Sequence, residues 1–366
     1  MTPYDFLIVG CGMFGSVFAR QAMDAGKSVL MIDRRSHLAG NCYSETIKGI
    51  EVHKYGPHVF HTDNEEIWNY INRFARFNHF TYRPKVSHQG KIYSFPINLM
   101  TLYQLWGVKT PIEAEKKLSE VRVKIDNPKN LEEWILSQVG VEIYETFIKG
   151  YTTKQWGRPP KELPAFIIKR LPIRLTYNDN YFNDRYQGVP VGGYTQMFQR
   201  MTMGASIQLG VDYFSDRDYF NGLAKEIIFT GKIDEFFEYE LGELEYRTIR
   251  FDHKLMKGDF QGNVAVNHTD LSVPYTRTIE HKHFEFKKSE DTVVTFEYPD
   301  NWDKSKISLY PVNDDKNNKL YRGYKDLSKK WSTNVTFGGR LSEYKYYDMH
   351  QVIGSALMRS KKVLKG

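Results

Sequence analysis

The chain has 366 residues, 41% hydrophobic and 26% charged, with a formal net charge of +7. That length exceeds what one hydrophobic core usually organises, so two or three domains are expected, and the ordinary composition excludes a disordered or fibrous chain. Apolar runs such as Phe6-Leu7-Ile8-Val9 are too short for membrane insertion, and the basic residues are interleaved with acids rather than gathered as a nucleic-acid footprint.

In chain order, Tyr4–Val9 reads as a strand, Gly10–Gly15 as a glycine turn, and Ala19, Ala22 and Met23 mark a helix that stops at Gly26. A second strand runs Ser28–Ile32. No basic segment precedes the first strand, so no leader is expected, and Cys11 and Cys42 offer no disulfide framework; both points fit a cytoplasmic location. From about residue 99 to 145 the periodicity is helical, with Asn130 before Leu131-Glu132-Glu133 as a helix start. From about 246 to 298 the text alternates (EYRTIRFDHK, NVAVNHTD, YTRTIEHKHFEF, DTVVTFEY) and predicts antiparallel strands. Lys225–Thr230 and Val335–Phe337 read as strands returning to the first domain. A terminal helix begins near Met349, where Asp348-x-x-Gln351 suits a capping box.

The expected fold is α/β: a discontinuous Rossmann-like FAD-binding domain carrying an inserted helical domain and an inserted antiparallel β-sheet domain. Residues 1–78, 202–236 and 318–366 are assigned to the first, 97–180 to the second, and 79–96, 181–201 and 237–317 to the third. Gly10, Gly12 and Gly15 permit a tight turn, close approach of a pyrophosphate and helix–sheet packing, and Asp33 stands where a ribose hydroxyl is accepted. An acid there disfavours a 2′-phosphate. Arg34–Asn41 resembles the segment flavoproteins lay beside FAD, and Gly339-Arg340 before a helix start reads as a second flavin contact, where a helix N-terminus would stabilise charge on a reduced flavin. The reading is FAD rather than NAD. The stretch from Tyr151 to Arg174, rich in cations and rings, suits a partner carrying both phosphate and base.

Several motifs together resemble bacterial UDP-galactopyranose mutase: Gly10–Gly15, His53–Thr62, Phe95-Pro96-Ile97-Asn98, Gly150-Tyr151-Thr152 with Lys154-Gln155-Trp156-Gly157, and Lys169–Arg174. They continue through Asn180-Tyr181-Phe182, Val273–Arg277, Glu280-His281-Lys282 and Tyr346–His350, so the match covers nearly the whole chain in one register. The resemblance implies an isomerase that interconverts UDP-galactopyranose and UDP-galactofuranose with reduced FAD and no net redox change. It implies attack of flavin N5 on the anomeric carbon, a covalent flavin–sugar adduct and return of UDP. It further implies a homodimer that supplies galactofuranose for cell-surface polysaccharide. No Ser-His-Asp arrangement, reactive cysteine or catalytic carboxylate pair stands out, as a mechanism with the cofactor as nucleophile requires.

The resemblance also carries residue roles. Arg170, on a mobile loop, and Arg277 match the diphosphate-binding arginines, and His58 matches the histidine beside the flavin ring. Phe147, Tyr151, Thr152 and Trp156 match the uridine side; Asn267, Tyr181, Tyr310 and Tyr346 match positions near diphosphate and sugar. Gly10, Gly12, Phe14, Gly15, Asp33, Arg34, Asn41, Val59, Arg340, Tyr347, Asp348 and Met349 match the FAD contacts. One position departs: Tyr82 stands where better-known members have an asparagine near the sugar–nucleotide, so a 2-acetamido or deoxy galactose, or another nucleoside diphosphate, is the alternative substrate. Arg247 is read as either lining the cleft or pairing structurally.

His53, His58 and His61 surround a turn with no carboxylate or cysteine to complete a set, so no metal is expected. His281, Lys282 and His283 read as a solvated strand face. A flavin-dependent oxidoreductase of the same fold and a non-catalytic nucleotide-binding module are the competing functions.

Overall fold

The computed structural model describes residues 3–169, 171–331 and 334–365. A five-stranded parallel sheet runs in the order Val335–Phe337, Ala224–Phe229, Tyr4–Val9, Val29–Asp33, Ser206–Leu209. Its central strands are continuous apolar runs because both faces are covered. Ile8 and Met31 pack with Val17, Phe18 and Ile353 of the helices Met13–Asp24 and Met349–Lys365, and Leu7, Leu30 and Phe229 pack with Phe236 and Tyr324 on the other face. Three separated stretches of chain supply these strands, as the sequence predicts; Ser206–Leu209 escapes it because this edge strand is mostly exposed and carries no apolar run.

The second sheet has seven strands, ordered Tyr310–Pro311, Tyr246–Lys257, Asp291–Asn301, Arg277–Glu280, Ala265–His268, Lys85–His88, Lys91–Ser94. All pairs are antiparallel except Ala265–His268 with Lys85–His88, which run parallel. The register sets Arg277 opposite Asn267 on one neighbour and Glu297 on the other. That juxtaposition is the sheet's main contribution to the site.

Two expectations need correction here. His281–Glu285 is a 3₁₀ turn rather than a continued strand, and His281 and Lys282 are buried instead of solvated. The Lys282 ammonium donates inward to the carbonyls of Gly258 and Ser289 and pairs with Asp259 at 2.7 Å, while His281 Nε2 bonds Thr295 Oγ1. Turning the backbone is what brings these polar groups to partners. The helix Gly193–Met201 packs through Tyr194, Met197, Phe198 and Met201 into the core of the parallel sheet, and not with the antiparallel sheet with which the sequence grouped 181–201. Its 3–4 spaced apolar stripe was the available signal.

The helical layer comprises Leu99–Trp106, Pro111–Val121 and Leu131–Ile143, started by the side chains of Asn98, Thr110 and Asn130. Leu102, Ala114, Leu118, Ile135 and Val139 form its core. Gly140, at φ +78°, breaks the third helix, a π-helical stretch Tyr144–Lys149 follows, and Gly150–Trp156 resumes α geometry. Gly150 brings this last segment onto the second sheet: a Cβ there would lie 1.8 Å from the Thr269 carbonyl oxygen.

Candidate functional site

A cleft of ≈ 820 Å³ runs from the C-terminal ends of the parallel strands to the wall formed by Gly150–Trp156 and the second sheet. It collects every site residue named from the sequence except Gly15 and Arg170. Gly15 serves the turn itself, since a Cβ there would sit 2.0 Å from the Gly10 carbonyl oxygen. Arg170 lies outside the described residues.

At the turn, Gly10 takes φ +110°, and a Cβ would meet Thr230 Oγ1 at 2.0 Å. Gly12 caps the helix Met13–Asp24 with no side-chain acceptor, and its first turn holds no acid. The first N–H groups and the positive end of the dipole are therefore directed at the cleft, as anion binding needs. Asp33 accepts from the backbone N–H groups of Cys11 and Arg35, which fixes the carboxylate at the end of its strand. Arg35, not singled out from the sequence, lies over the Tyr55 ring at 4.6 Å and donates to Asn41 Oδ1 at 2.8 Å. Arg34 pairs with Glu235 at 3.1 Å, and both line the cleft. Across the cleft, Phe14 packs under Gly338 and Gly339, where a Cβ on Gly338 would fall 2.0 Å from the ring. Arg340 donates to the Leu309 carbonyl and lies 5.4 Å from the Tyr346 ring centre. Among the described residues, Arg35 Nη1 and Arg340 Nε are buried in this wall without a hydrogen-bond partner. Open glycine backbone, an uncapped helix start and partnerless guanidinium nitrogens fit a dinucleotide with a charged or polarisable ring system.

His58 stands where the two halves of the cleft meet. Its Nδ1 faces the Gly56 carbonyl at 2.9 Å and so carries the proton, leaving Nε2 as acceptor. Burial lowers its pKa to about 4, and the charges of Arg340 and Arg277 act in the same direction, so the ring is neutral. Behind it, His53 Nδ1 accepts from the His58 N–H, and His281 Nδ1 accepts from the His53 N–H. Thr295 Oγ1 then joins His281 to His253 at 2.6 Å on each side. Burial holds all these rings neutral: His53 is lowered to about 3, His253 to about 4, and His281 well below its ordinary value. These hydrogen bonds tie the histidines to one another and to the turn. Among the described residues, one group has metal-ligand spacing, Asp259, Glu280 and His283; there Lys282 pairs with Asp259, and the Glu280 oxygens accept from the N–H groups of Phe260, Gln261 and Gly262 and from the Thr292 hydroxyl.

In the second half, Arg277 Nε and Nη2 both donate to Glu297 Oε2 at 2.8 Å. Glu297 is buried, and among the described residues its Oε1 has no hydrogen-bond partner. Burial raises the Glu297 pKa against the pull of Arg277, and that carboxylate raises Arg277 in turn. The pair fixes the guanidinium while leaving Nη1 uncommitted to the carboxylate. Asn267, directly across the strand pair, keeps its Oδ1 buried, with no hydrogen-bond partner among the described residues. Tyr151, Tyr82 and Tyr310 surround the guanidinium. Burial pushes Tyr82 up to about 12 and Tyr151 and Tyr310 higher, so all three are neutral hydroxyls. Tyr310 stacks on Tyr346 at 5.4 Å. Tyr82 is buried against Tyr181 at 5.4 Å and Phe182 at 6.1 Å, which makes this corner aromatic. Phe147 and Tyr151, one helical turn apart, line the far end with Thr152 and Trp156. Arg247 does both things the sequence allowed: it lines the cleft, and it ties Gln155 to Asn301 through its guanidinium.

A profile of the UDP-galactopyranose mutase family matches residues 146–346, and one of the NAD(P)-binding Rossmann-like domain matches residues 8–74. The chain is 40% identical over 362 residues to dTDP-fucopyranose mutase of Escherichia coli, covering 96% of each. It is 39% identical to the probable UDP-galactopyranose mutase of Klebsiella pneumoniae, covering 100% of this chain and 96% of that one. UDP-galactopyranose mutase of Mycoplasma pneumoniae is 28% identical over 99% of this chain and 96% of its own. Among solved structures, reduced UDP-galactopyranose mutase shares the fold with a TM-score of 0.77 at 13% identity, over 99% of this chain and 96% of that one. A putative protoporphyrinogen oxidase from Exiguobacterium follows at 0.65 and 10% identity, over 100% of this chain and 99% of that one. With relatives at this identity aligned along almost the entire chain, the protein belongs to the UDP-galactopyranose mutase family of isomerases.

Proposed function

We propose that the protein interconverts the pyranose and furanose forms of a nucleoside diphosphate-linked galactose-type sugar, using reduced FAD without net redox change. The observation that carries this reading is the continuity of one cleft from the glycine turn to the Arg277–Glu297 pair. A dinucleotide cofactor and a second phosphate-bearing molecule would lie end to end in it. FAD would be held by the Gly10–Gly12 turn, Asp33, Asn41, Val59, Arg340 and the backbone of Tyr347–Met349. When bound and reduced, the flavin would supply the electron-rich nucleophile the isomerisation needs.

The chain's own residues bind, orient and hold charge. Phe147, Tyr151 and Trp156 offer rings to the base, and Thr152 offers a hydroxyl. Arg277 takes up negative charge as the C1–O bond to the diphosphate breaks, with Glu297 fixing its rotamer. Tyr310, Tyr346 and Tyr181 would offer hydroxyls to the phosphate oxygens. His58 presents an acceptor nitrogen to the ring system and is not a proton donor near neutrality. Arg170 keeps the diphosphate role that the family resemblance gives it.

Tyr82 bears on the substrate. UDP-galactopyranose and dTDP-fucopyranose, the sugars named for the two relatives of near-equal identity, differ at hexose C6 and in the nucleoside. A tyrosine in place of an asparagine trades the amide's donor and acceptor pair for one hydroxyl on a bulkier, more apolar ring, which favours a deoxy sugar as the second reading. Chemically reduced protein offered both nucleotide sugars, in pyranose and furanose forms, should interconvert at least one, and oxidised protein should do so poorly. Hydrogen peroxide release with an amine and no isomerisation would overturn the proposal. A galactose product would supply cell-surface polysaccharide.

A further inference from the structure

Lys154 projects from Gly150–Trp156 into the loop between the strands Ala265–His268 and Arg277–Glu280. Its Nζ lies 2.9 Å from each of four backbone carbonyl oxygens, those of His268, Asp270, Val273 and Tyr275. An ammonium has three hydrogens, so one is shared, and all four carbonyl dipoles point at the charge. One helical turn earlier, Gly150 packs bare backbone on the same loop at Thr269. The helix is thus seated on this loop over both of its turns. The same helix lines the cleft with Tyr151, Thr152 and Trp156, and the loop's two ends carry the cross-strand pair Asn267 and Arg277.

We propose that Lys154 is a positioning residue for nucleotide binding, its caged ammonium setting the base-facing helix against the strand pair that faces the diphosphate. This rests on the reading above of which side chains face the nucleotide. The charged and titratable neighbours do not replace the cage. The Asp270 carboxylate is turned to the Gln89 N–H, at 2.9 Å, and to His88 Nδ1, at 3.4 Å. His268, lowered to about 4 by burial and by Lys154, bonds Thr278 Oγ1 through Nε2. Tyr275 contributes its carbonyl oxygen. Burial lowers Lys154 itself to about 8, with Asp270 opposing. A neutral amine would turn a lone pair toward carbonyl oxygens and keep only two donors, so the cage loosens as the proton leaves.

The test uses flavin-loaded protein, with UDP and dTDP as the probes, by titration calorimetry and steady-state kinetics. Lys154→Met should weaken nucleotide binding and raise KM by on the order of tenfold to a hundredfold, with a smaller change in kcat and unchanged flavin content. Wild-type affinity should fall as pH rises through about 8, and Lys154→Met should lose that limb. A structural role alone would leave the limb in place. Should Lys154→Met fail to fold, Lys154→Gln, whose amide gives two donors to the cage, carries the same readouts. Wild-type affinity in these variants, or an alkaline limb that survives them, overturns the inference. A wild-type protein that binds neither nucleotide overturns the reading of the site instead.

Discussion

Replacing Arg277 by alanine separates what the guanidinium does for the fold from what it does for the reaction. In the fold it is the partner of Glu297, whose side chain is only 1% exposed. Removing one member of such a pair leaves an uncompensated buried charge and costs about 3–5 kcal/mol. On the proposed reading it is also a donor aimed at developing charge, and losing one typically costs about a hundred- to a thousandfold in rate. The two effects separate by pH. Burial already holds the Glu297 pKa above its ordinary value, and Arg277 is the influence that lowers it. Without the arginine the carboxyl rises further and folds best protonated, so its contribution is present at low pH and lost as pH rises through the raised value. Arg277→Ala should therefore be destabilised more at about pH 8 than at about pH 5 relative to wild type. Adding Glu297→Gln should recover most of the stability and none of the rate. Thermal melts across pH and turnover under reducing conditions read the two arms. A single variant as stable as wild type, or a double variant no more stable than the single, would refute the argument about the pair. Undiminished turnover would refute the leaving-group role.

Tyr82→Asn should shift the ratio of kcat/KM between UDP-galactose and dTDP-fucose by about tenfold or more toward the hydroxylated sugar; an unmoved ratio removes Tyr82 from the sugar corner. Gly10→Ala combines a left-handed φ with a Cβ 2.0 Å from Thr230 Oγ1, so flavin stoichiometry should collapse. Thr230→Ala in that background relieves the contact and not the backbone strain, and should restore only part. His53, His58, His253 and His281 are held neutral by burial, so unfolded chains bind more protons below the ordinary histidine value. Stability from this cluster is complete above about pH 6.5 and is lost as pH falls toward about 4. Denaturation midpoints that hold steady over that interval would show the cluster does not carry the turn.

All three parts of the fold were legible because their signals are local: apolar runs for buried parallel strands, alternation for the antiparallel sheet, periodicity and caps for the helices. The glycine turn was legible for the same reason, since a positive φ at Gly10 and the tight packing at Gly15 demand glycine wherever the chain goes next. What the sequence could not show is pairing across distance. Glu297 lies twenty residues from Arg277 and is its partner only because the strands meet in that register. The four carbonyls around Lys154 have no side-chain signature at all. His281 and Lys282 misled because a buried lysine and a solvated one read alike until the acceptors, here Gly258, Ser289 and Asp259, are in place.

The electrostatics of the cleft bear on why a leaving group would come back. A lone desolvated guanidinium binds a diphosphate strongly, and strong binding of the departed group lowers the energy of a state the reaction must leave. Here Arg277 enters with its charge largely answered by Glu297, and the tyrosines beside it are kept neutral by burial. Around Arg277 itself the charge is thus paired, and the neighbouring groups are directed hydrogen-bonding hydroxyls. On the proposed reading, such a site stabilises the bond-breaking transition state through geometry while leaving the diphosphate free to re-attack. Glu297→Gln alone tests this, because it frees the arginine's charge without deleting the arginine. Nucleotide should bind tighter and turnover should fall, and turnover that rises with affinity would mean that release and return were never balanced by that carboxylate.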